Sequence, residues 1–299
     1  MSKHSVLFLG LSAIAGAGWA QSPGPNGPAR TGAVGLSRVS LNIPAGPLGD
    51  IQSISDTFTA FFLFTDFSKF IIPEAPPPTT IGQCLVIPFT QQPDILSAST
   101  ALDAGPVMNL TGPKGTRAFA AKQFAFSGSL GGGTAIPGLP PPAPLYLDPG
   151  SYTVDNGAGG ADVGPFMTTL TIPNAFAWTN ADDAQSLSID RTAGVDVAWT
   201  GGDPNSKVTI IGGVVELDPD TFTPSGGTVY SCTENNSAGH FFVSPDVLSL
   251  LPASTANMIG ISNGLLGVGS GVQAPFSAAG IDAGIFNFSA LIIRNPAYN

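Results

Sequence analysis

The chain has 299 residues, 10% of them charged and 43% hydrophobic, and its formal net charge is −10. Nucleic-acid binding requires clustered Lys and Arg side chains, so the excess of acidic residues argues against nucleic acid as a partner. The hydrophobic share is too high for an intrinsically disordered chain. Because 38 Gly and 28 Pro are typical of short strands joined by turns, the composition predicts an all-β fold.

The first twenty residues have the three parts of a secretory signal peptide. Lys3 and His4 form a short polar region, residues 6–17 are apolar, and Gly18-Trp19-Ala20 is a small-residue cleavage site before Gln21. The apolar run is shorter than the roughly 20 residues that a membrane-spanning helix needs, and no later run qualifies. We therefore expect a secreted protein of the periplasm, cell surface or extracellular space, with no transmembrane segment in the mature chain.

Residues 21–33 form a Pro/Gly-rich stretch without periodicity, which predicts a linker. Beyond it, apolar or alternating runs are bounded by Gly, Pro, Asn or Asp, and such runs predict strands. The predicted strands cover residues 39–43, 57–64, 84–89, 107–111, 124–128, 151–154, 167–172, 195–200, 207–211, 228–233, 240–243 and 285–293.

Three further segments carry local signals. The short polar loop between 195–200 and 207–211 predicts that these two strands form a hairpin. Gly131–Pro144 is rich in Gly and Pro, which predicts an exposed loop. Ser244–Pro252 predicts one short helix, because Ser244 can cap it and Pro245 suits its first position.

Regular strand spacing with almost no helical pattern favours two immunoglobulin-like β-sandwich domains. The stretch Leu147–Phe166 predicts a turn, a strand and a Gly-rich hairpin, in which Gly159-Gly160 allow a tight reversal. We expect this hairpin to close an N-terminal sandwich, residues 34–173, before a C-terminal sandwich begins at residues 174–299.

Cys84 and Cys232 are the only cysteines in the chain. In an exported protein a pair of cysteines is compatible with one disulfide, and this disulfide would tie the two halves together. Two independent buried thiols are the alternative, because the sequence does not set the geometry that a disulfide requires.

Five motifs of turn and strand-edge residues occur in order along the chain: Leu102-Asp103-Ala104-Gly105, Gly112-Pro113-Lys114-Gly115, Pro149-Gly150-Ser151-Tyr152-Thr153, Gly159-Gly160-Ala161-Asp162-Val163-Gly164-Pro165-Phe166 and Trp199-Thr200-Gly201-Gly202. This set resembles the motifs of a group of uncharacterised secreted β-sandwich proteins of soil bacteria. The resemblance extends through Cys232 and covers most of the mature chain, and it implies export and a β-sandwich fold without implying an activity.

No set of residues has a pattern typical of catalysis or of a resident metal or cofactor. His240 is the only histidine after the leader, and the chain has no Gly-x-Ser-x-Gly motif for a serine nucleophile. One His and two distant Cys are too few for a zinc site. Glu74, Glu216 and Glu234 are the only glutamates, and nothing pairs them across a cleft as glycoside hydrolysis requires.

Two binding chemistries remain as alternatives. Calcium prefers hard oxygen ligands, and Asp182-Asp183, Asp203-Pro204-Asn205 and Asp218-Pro219-Asp220 supply them, although turn-forming Asp explains all three equally well. Polysaccharide binding requires exposed aromatic side chains. Its candidates are Trp178, Trp199, Tyr146, Tyr152 and Tyr230, with burial favoured for Trp199 because it lies in an alternating strand.

These patterns predict a non-enzymatic structural, adhesive or assembly protein, with no cofactor, metal or catalytic residue assigned. The alternative is a carbohydrate- or calcium-dependent binding module with a cell-surface polysaccharide as partner. Self-association is a further expectation, because the apolar run Phe58–Phe64 can pair with another chain if its edge is open.

Overall fold

A computed structural model describes residues 28–44, 50–66, 80–88, 99–122, 125–135, 140–217, 224–256 and 261–299. The predicted signal peptide and Glu74 lie outside these ranges. Within them the chain is almost entirely β-structure, so the all-β class is confirmed. The strands are β1 (Pro28–Pro44), β2 (Asp50–Asp66), β3 (Gln83–Pro88), β4 (Ser99–Ala101), β5 (Val107–Gly112), β6 (Gly115–Lys122), β7 (Ala125–Ala135), β8 (Gly150–Asp155), β9 (Met167–Ile172), β10 (Ala177–Trp178), β11 (Ser188–Ile189), β12 (Val195–Thr200), β13 (Lys207–Leu217), β14 (Pro224–Asn235), β15 (His240–Val243), β16 (Gly264–Phe276), β17 (Ala283–Arg294) and β18 (Ala297–Tyr298); the helices are α1 (Ala184–Leu187) and α2 (Pro245–Leu248).

One large sheet organises the described chain. Its strands follow the order β3-β14-β13-β16-β17-β1-β2-β7-β6-β5-β8-β9, and β4 pairs with β2. Neighbours in this sheet are antiparallel except β1 and β17, which are parallel. Two smaller sheets, β10-β12-β15 and β11-β18, complete the described β-structure.

The N-terminal core lies where the large sheet folds back on itself. Val34 of β1 and Phe58 of β2 face Leu110 of β5 and Tyr152 of β8, and all four side chains are buried. Strand β9, at the end of the sheet, packs against β16 and β17. The sheet therefore encloses this core from both sides, as in a sandwich or partly closed barrel.

The C-terminal core lies between the large sheet and the smaller ones. Ile210 of β13 and Val268 of β16 face it from the large sheet, while Val197 and Trp199 of β12 and Val243 of β15 face it from the opposite layer. All of these side chains are buried. Alternation along each strand places apolar side chains inward and explains why the strands were recognisable in the sequence.

Strands β16 and β17 serve both cores with one face. Leu266 of β16 and Ile292 of β17 pack in the C-terminal core, whereas Phe276 and Phe286 of the same strands pack in the N-terminal core. Strand β3, which precedes most of the N-terminal half in sequence, lies beside β14 and contributes Val86 to the C-terminal core. Hydrogen-bonded pairing thus crosses the predicted domain boundary at residue 173.

The predicted linker is partly strand. Residues 28–33 belong to β1, where Gly32 lies so close to Phe62 that a Cβ atom would be 2.7 Å from its ring. Such a strand is paired on both edges, and its small residues pack under a large aromatic ring. Its sequence therefore does not alternate regularly between apolar and polar residues. The prediction of a linker over 21–33 is therefore wrong for residues 28–33.

Gly131–Ala135 is also strand, not the predicted exposed loop, and pairs with β2 as the end of β7. Gly132 has φ 84°, and a Cβ atom there would lie 2.0 Å from the carbonyl oxygen of Ile54. Glycine is needed here for close approach to β2, beside a register shift at Asp56/Thr57. The glycine run that indicated a loop instead marks a β-bulge.

The predicted hairpin of 195–200 and 207–211 is absent. Strand β12 pairs with β10 and β15, whereas β13 pairs with β14 and β16, so the two strands lie in different sheets. The loop between them turns a corner around the C-terminal core. Both strands alternate because they face that core from opposite layers.

The segment Phe58–Phe64 has no open edge of the kind that self-association through it requires. It lies in β2, which pairs with β1 along its whole length and with β7 and β4 on the other side. The expected route of self-association through this segment is therefore wrong.

Candidate functional site

The two cysteines form a disulfide between β3 and β14. Cys84 and Cys232 are directly opposite each other in the register of these strands, with a Cα–Cα distance of 4.0 Å and a sequence separation of 148 residues. Of the two alternatives that the sequence left open, the structure has the disulfide. It ties a strand of the N-terminal half to the C-terminal core, as expected for a covalent link between the halves.

The loops that carry two of the sequence motifs meet at one end of the N-terminal core. The Asp103 side chain accepts hydrogen bonds from the N–H groups of Gly105 and Ala161, and its carbonyl oxygen accepts from Asp162 and Val163. The bonds from Gly105 and Ala161 stabilise the charged carboxylate and lower the pKa of Asp103. Its carboxylate oxygens therefore act as local turn caps.

Asn156 holds the same loops together from inside. Its amide group donates to the carbonyl oxygens of Ala104 and Gly164, and its side-chain oxygen accepts from the Phe166 N–H. The residue is buried, and these bonds satisfy the polar atoms that burial would otherwise penalise. Asn156 thus joins the loops of residues 102–105 and 156–166 into one loop platform.

Arg30, near the start of β1, connects this platform to the rest of the sheet. Its guanidinium donates to the Asp162 carboxylate at 3.1 Å, and both side chains are about 40% exposed (40% and 39%). The Arg30 backbone N–H donates to the Asp282 carboxylate at 2.7 Å, and the Asp282 N–H donates back to the Arg30 carbonyl oxygen. Asp282 precedes β17, so these bonds fasten the start of β1 to the start of its parallel neighbour.

An open groove of about 480 Å³ lies beside this ion pair. Arg30 and Asp162 provide its polar atoms, Phe64 provides an aromatic face that is 37% exposed, and Thr100 to Leu102 form the remaining wall. An accessible ring next to a charged pair can contact a ligand that has both an apolar face and hydroxyl groups. This groove is a candidate binding surface.

A second charged cluster is structural. Asp56 is fully buried, receives two bonds from the Arg38 guanidinium at 2.7 and 2.8 Å, and accepts the N–H groups of Tyr146 and Leu147. The hydrogen bond to Asp56 raises the pKa of Arg38. The donors to the Asp56 carboxylate belong to β1 and to the loop before β8. The carboxylate therefore holds the strand pair β1–β2 against that loop.

Two of the predicted calcium ligands, Asp182 and Asp203, have other partners. Asp182 is paired with Arg294, its Oδ1 atom lying 2.7 Å from Arg294 Nε. Asp203 accepts from the backbone N–H and the side chain of Asn205, as in an Asx turn. Asp218-Pro219-Asp220 lies outside the described residues. Among the residues that the structure describes, no three His, Cys, Asp or Glu side chains are grouped so that they could hold a metal ion.

The five predicted carbohydrate-binding aromatics are buried. Trp178 and Trp199 line the C-terminal core and donate their indole N–H groups to Asn180 and Asn236. The tyrosines Tyr146, Tyr152 and Tyr230 are at most 2% exposed. Burial was predicted for Trp199 and is confirmed, but none of the five can stack on a ligand.

The remaining predicted candidates lie apart from one another. His240 is exposed at the start of β15, with its Nδ1 atom 3.4 Å from the Ala238 carbonyl oxygen. Glu216 and Glu234 occupy β13 and β14 eight register positions apart, which corresponds to roughly 27 Å along the strands. That separation is too large for the paired carboxylates of a glycosidase.

Among the described residues, the exposed aromatic side chains are three phenylalanines: Phe61, Phe64 and Phe242. No sequence pattern distinguishes Phe64 from the other residues of its apolar run, and its neighbours in that run are buried. Its partners Arg30 and Asp162 are 132 residues apart and meet only in the fold. The one available signal was the Asp162 motif, which was recognised as a turn.

No protein-family model and no curated protein matches this chain. Among solved structures it is similar to the Fcho1 Mu homology domain of Danio rerio with bound Eps15 peptide, at 7% identity over 90% of this chain and 97% of that chain, with a TM-score of 0.19. A likeness at that TM-score carries no argument about fold or function. The resemblance to secreted soil-bacterial proteins stays a prediction.

Proposed function

We propose that the protein is an exported, non-enzymatic β protein with a structural, adhesive or assembly role in the bacterial cell envelope or extracellular space. The observation that carries this proposal is the single sheet that serves both cores and is locked by the Cys84–Cys232 disulfide. The disulfide links β3 covalently to β14, and disulfides persist in oxidising compartments. Among the described residues no helix is long and apolar enough to cross a membrane.

The use of charged side chains supports a structural role. Asp56 and Asp182 are paired with arginines, and Asp103 caps turns. An enzyme site concentrates charged groups at a cleft where their pKa values are tuned for chemistry. Here the same groups stabilise loops and strand pairs, which suits a protein whose task is to hold its shape.

The proposal includes two finer features of the fold. The leader over residues 1–20 supports export through its composition. Trp199 is buried in an alternating strand of the C-terminal core, which supports an immunoglobulin-like fold for the C-terminal half. The same fold for the N-terminal half rests on strand spacing alone.

Cell fractionation followed by intact mass spectrometry tests the proposal. We expect a chain that begins at Gln21, is recovered outside the cytoplasm, and is two mass units lighter than its reduced form. An unprocessed cytoplasmic chain contradicts export. Turnover of any substrate that is lost with one Asp, Glu or His variant contradicts the non-enzymatic role.

A polysaccharide-binding module is the second candidate, and the groove beside Phe64 favours it. Phe64→Ala removes the exposed ring from the groove, whereas Phe242→Ala removes a ring that is 51% exposed elsewhere. If the groove binds cell-surface glycans, only the first variant loses retention on a glycan array. Equal retention of both variants and the unmodified protein contradicts this function, and repeating the assay with a chelator tests the calcium-dependent alternative.

A further inference from the structure

The parallel pairing of β1 with β17 joins the beginning of the described chain to its end. Twelve residue pairs are in register, from Thr31 opposite Ala283 to Asn42 opposite Arg294. Every other neighbour pair in the large sheet is antiparallel. The long parallel ladder of the large sheet therefore joins β1, the first described strand, to β17, which only the two-residue β18 follows.

This arrangement decides how tension acts on the ladder. Because the strands are parallel, the chain enters β1 at one end of the ladder and leaves β17 at the other, about 40 Å away. Pulling the two ends apart slides one strand along the other. All the ladder hydrogen bonds then bear the load together, whereas peeling strands apart breaks them one after another.

Tension that slides β1 along β17 also slides it along β2, its neighbour on the other edge. Strand β2 pairs with β1 over seventeen registered positions, from Pro28 opposite Asp66 to Pro44 opposite Asp50. Val34 and Leu36 of β1 are buried in the N-terminal core, so sliding β1 also exposes apolar surface. Strand β1 cannot leave the sheet without breaking two ladders and one core at once.

Both ends of the ladder are fastened by side chains. At the start of β1, Arg30 exchanges backbone-mediated bonds with Asp282 and pairs with Asp162. Beyond β17, Tyr298 is fully buried in the C-terminal core and donates its hydroxyl to the Leu265 carbonyl oxygen at 2.8 Å. Tension from either side therefore reaches the ladder only through an anchored residue.

We propose that β1 and β17 form a load-bearing clamp, and that the folded protein carries tension between the segments that precede β1 and follow β17. Its biological use rests on the proposed structural or adhesive role, because a protein that links cell-surface components is pulled through its attachments. The mechanical resistance itself is a property of the fold and can be measured without knowing the partner.

The disulfide supplies an independent signature for the measurement. When the clamp breaks, the covalent loop from Cys84 to Cys232 stays closed in the oxidised protein. The loop spans 148 residues, and an extended chain covers at most about 3.3–3.6 Å per residue, so reduction should add roughly 500 Å to the stretched length. This difference identifies the molecule being stretched and reports whether the disulfide is intact.

Single-molecule force spectroscopy in two pulling geometries tests the clamp. In the first, handles are attached at the two ends of the mature chain. In the second, one handle is moved to an azide-bearing residue at exposed Ser277, in the loop before β17, so that force opens the ladder from the end where both strands begin. We expect the end-to-end geometry to give a rupture force at least about twofold higher, since twelve pairs share the load. Equal forces in the two geometries overturn the proposal.

A pair of matched variants separates mechanical resistance from thermal stability. Val34→Ala truncates a fully buried valine in β1, and Val197→Ala truncates a fully buried valine in β12, outside the clamp. Both variants should lower the melting temperature, but only Val34→Ala should lower the end-to-end rupture force. If both lower the force equally, resistance reflects overall stability and the clamp is refuted.

The outcomes for the clamp and for the proposed role are distinguishable. A high end-to-end force in a protein found unprocessed in the cytoplasm supports the clamp and contradicts export. A low force in a processed, exported protein refutes the clamp. The structural role would then depend on the surfaces of the protein and not on resistance to tension.

Discussion

The N-terminal and C-terminal cores share one sheet but are closed by different means. The N-terminal core is enclosed by the returning sheet and braced by the buried pair Arg38–Asp56. The C-terminal core is covered by short strands and one-turn helices, and its outermost sheet strand, β3, is attached by a disulfide. The N-terminal core is therefore closed by hydrogen bonds between the strands of the returning sheet, whereas the edge of the C-terminal core is held by a covalent bond.

The difference follows from an exchange of strands between the two halves. The N-terminal core receives β17 and the end of β16 from late in the sequence, and the long ladders β1–β17 and β17–β16 hold them there. The C-terminal core receives only the six-residue β3 from early in the sequence. A short edge strand contributes few ladder bonds, so a covalent bond makes the greater difference there. The two halves are thus interlocked in both directions.

The largest expected effect is at the centre of the N-terminal core. Phe62→Lys places a charge where the side chain is 1% exposed and packs on Phe166. We expect the free energy of unfolding to fall by about 5 kcal/mol or more, enough to unfold a domain of ordinary stability. Phe61→Lys, one residue away and 40% exposed, is the control and should cost less than about 1 kcal/mol. Urea titrations check both values, and similar losses contradict the assignment of faces in β2.

Removing the disulfide is the matching test of the C-terminal core. The double variant Cys84→Ser with Cys232→Ser should lose about 2–5 kcal/mol, because the loop that it opens is long. Hydrogen exchange should accelerate first in β3 and in the facing residues of β14. Faster exchange that begins in β1 instead would show that the disulfide does not mainly secure the edge strand.

Asp56→Asn weakens the polar brace of the N-terminal core. The substitution removes the negative charge that faces Arg38 and two backbone N–H groups. The Arg38 side chain, which is only 22% exposed, then lacks its ion partner. We expect a loss of about 2–4 kcal/mol. Asp148→Asn breaks an ion pair with Lys114 whose side chains are 42–48% exposed, and should change stability by less than about 1 kcal/mol. Equal melting temperatures for the two variants would contradict a structural role for Asp56.

Alkaline pH should weaken both cores through their tyrosines. Burial raises the pKa of Tyr152 to about 12 and raises the pKa of Tyr230 and of Tyr298 well above the ordinary value of 10. Above pH 10 the unfolded chain loses these protons while the folded chain keeps them, so the free energy of unfolding falls as pH rises. The slope is at most about 1.4 kcal/mol per pH unit for each tyrosine. Urea midpoints from pH 9 to 11 measure it, and Tyr230→Phe should flatten the curve; an unchanged slope would contradict the stated cause.

The sequence predicted strands best where one face of a strand is buried. Residues 107–111, 151–154, 167–172 and 195–200 alternate because one side meets a core, and the structure has strands at all four. Alternation was weak in residues 28–33, where small side chains lie under Phe62 and both edges are paired. Local pattern therefore identified the strands with one solvated face and missed the start of the central strand.

The order of the strands in the large sheet could not be predicted from the sequence, for a physical reason. Thr31 pairs with Ala283 across more than 250 positions of sequence, and no residue pattern near either strand encodes that choice. The division at residue 173 followed sequential proximity, which antiparallel neighbours usually obey. The candidate groove could not be predicted for the same reason, because Arg30, Phe64 and Asp162 meet only when β1 lies beside β2 and β17.

Coincidence of unfolding in the two cores tests most directly whether one sheet unites them. In a chain that begins at Gln21, Trp178 and Trp199 are the only tryptophans, and both belong to the C-terminal core, so their fluorescence reports that core alone. Hydrogen exchange of β5 and β8 reports the N-terminal core. Followed through the same urea titration, the two signals should change with one midpoint and one slope. Two separated midpoints would show two independent domains and contradict the interlocked sheet.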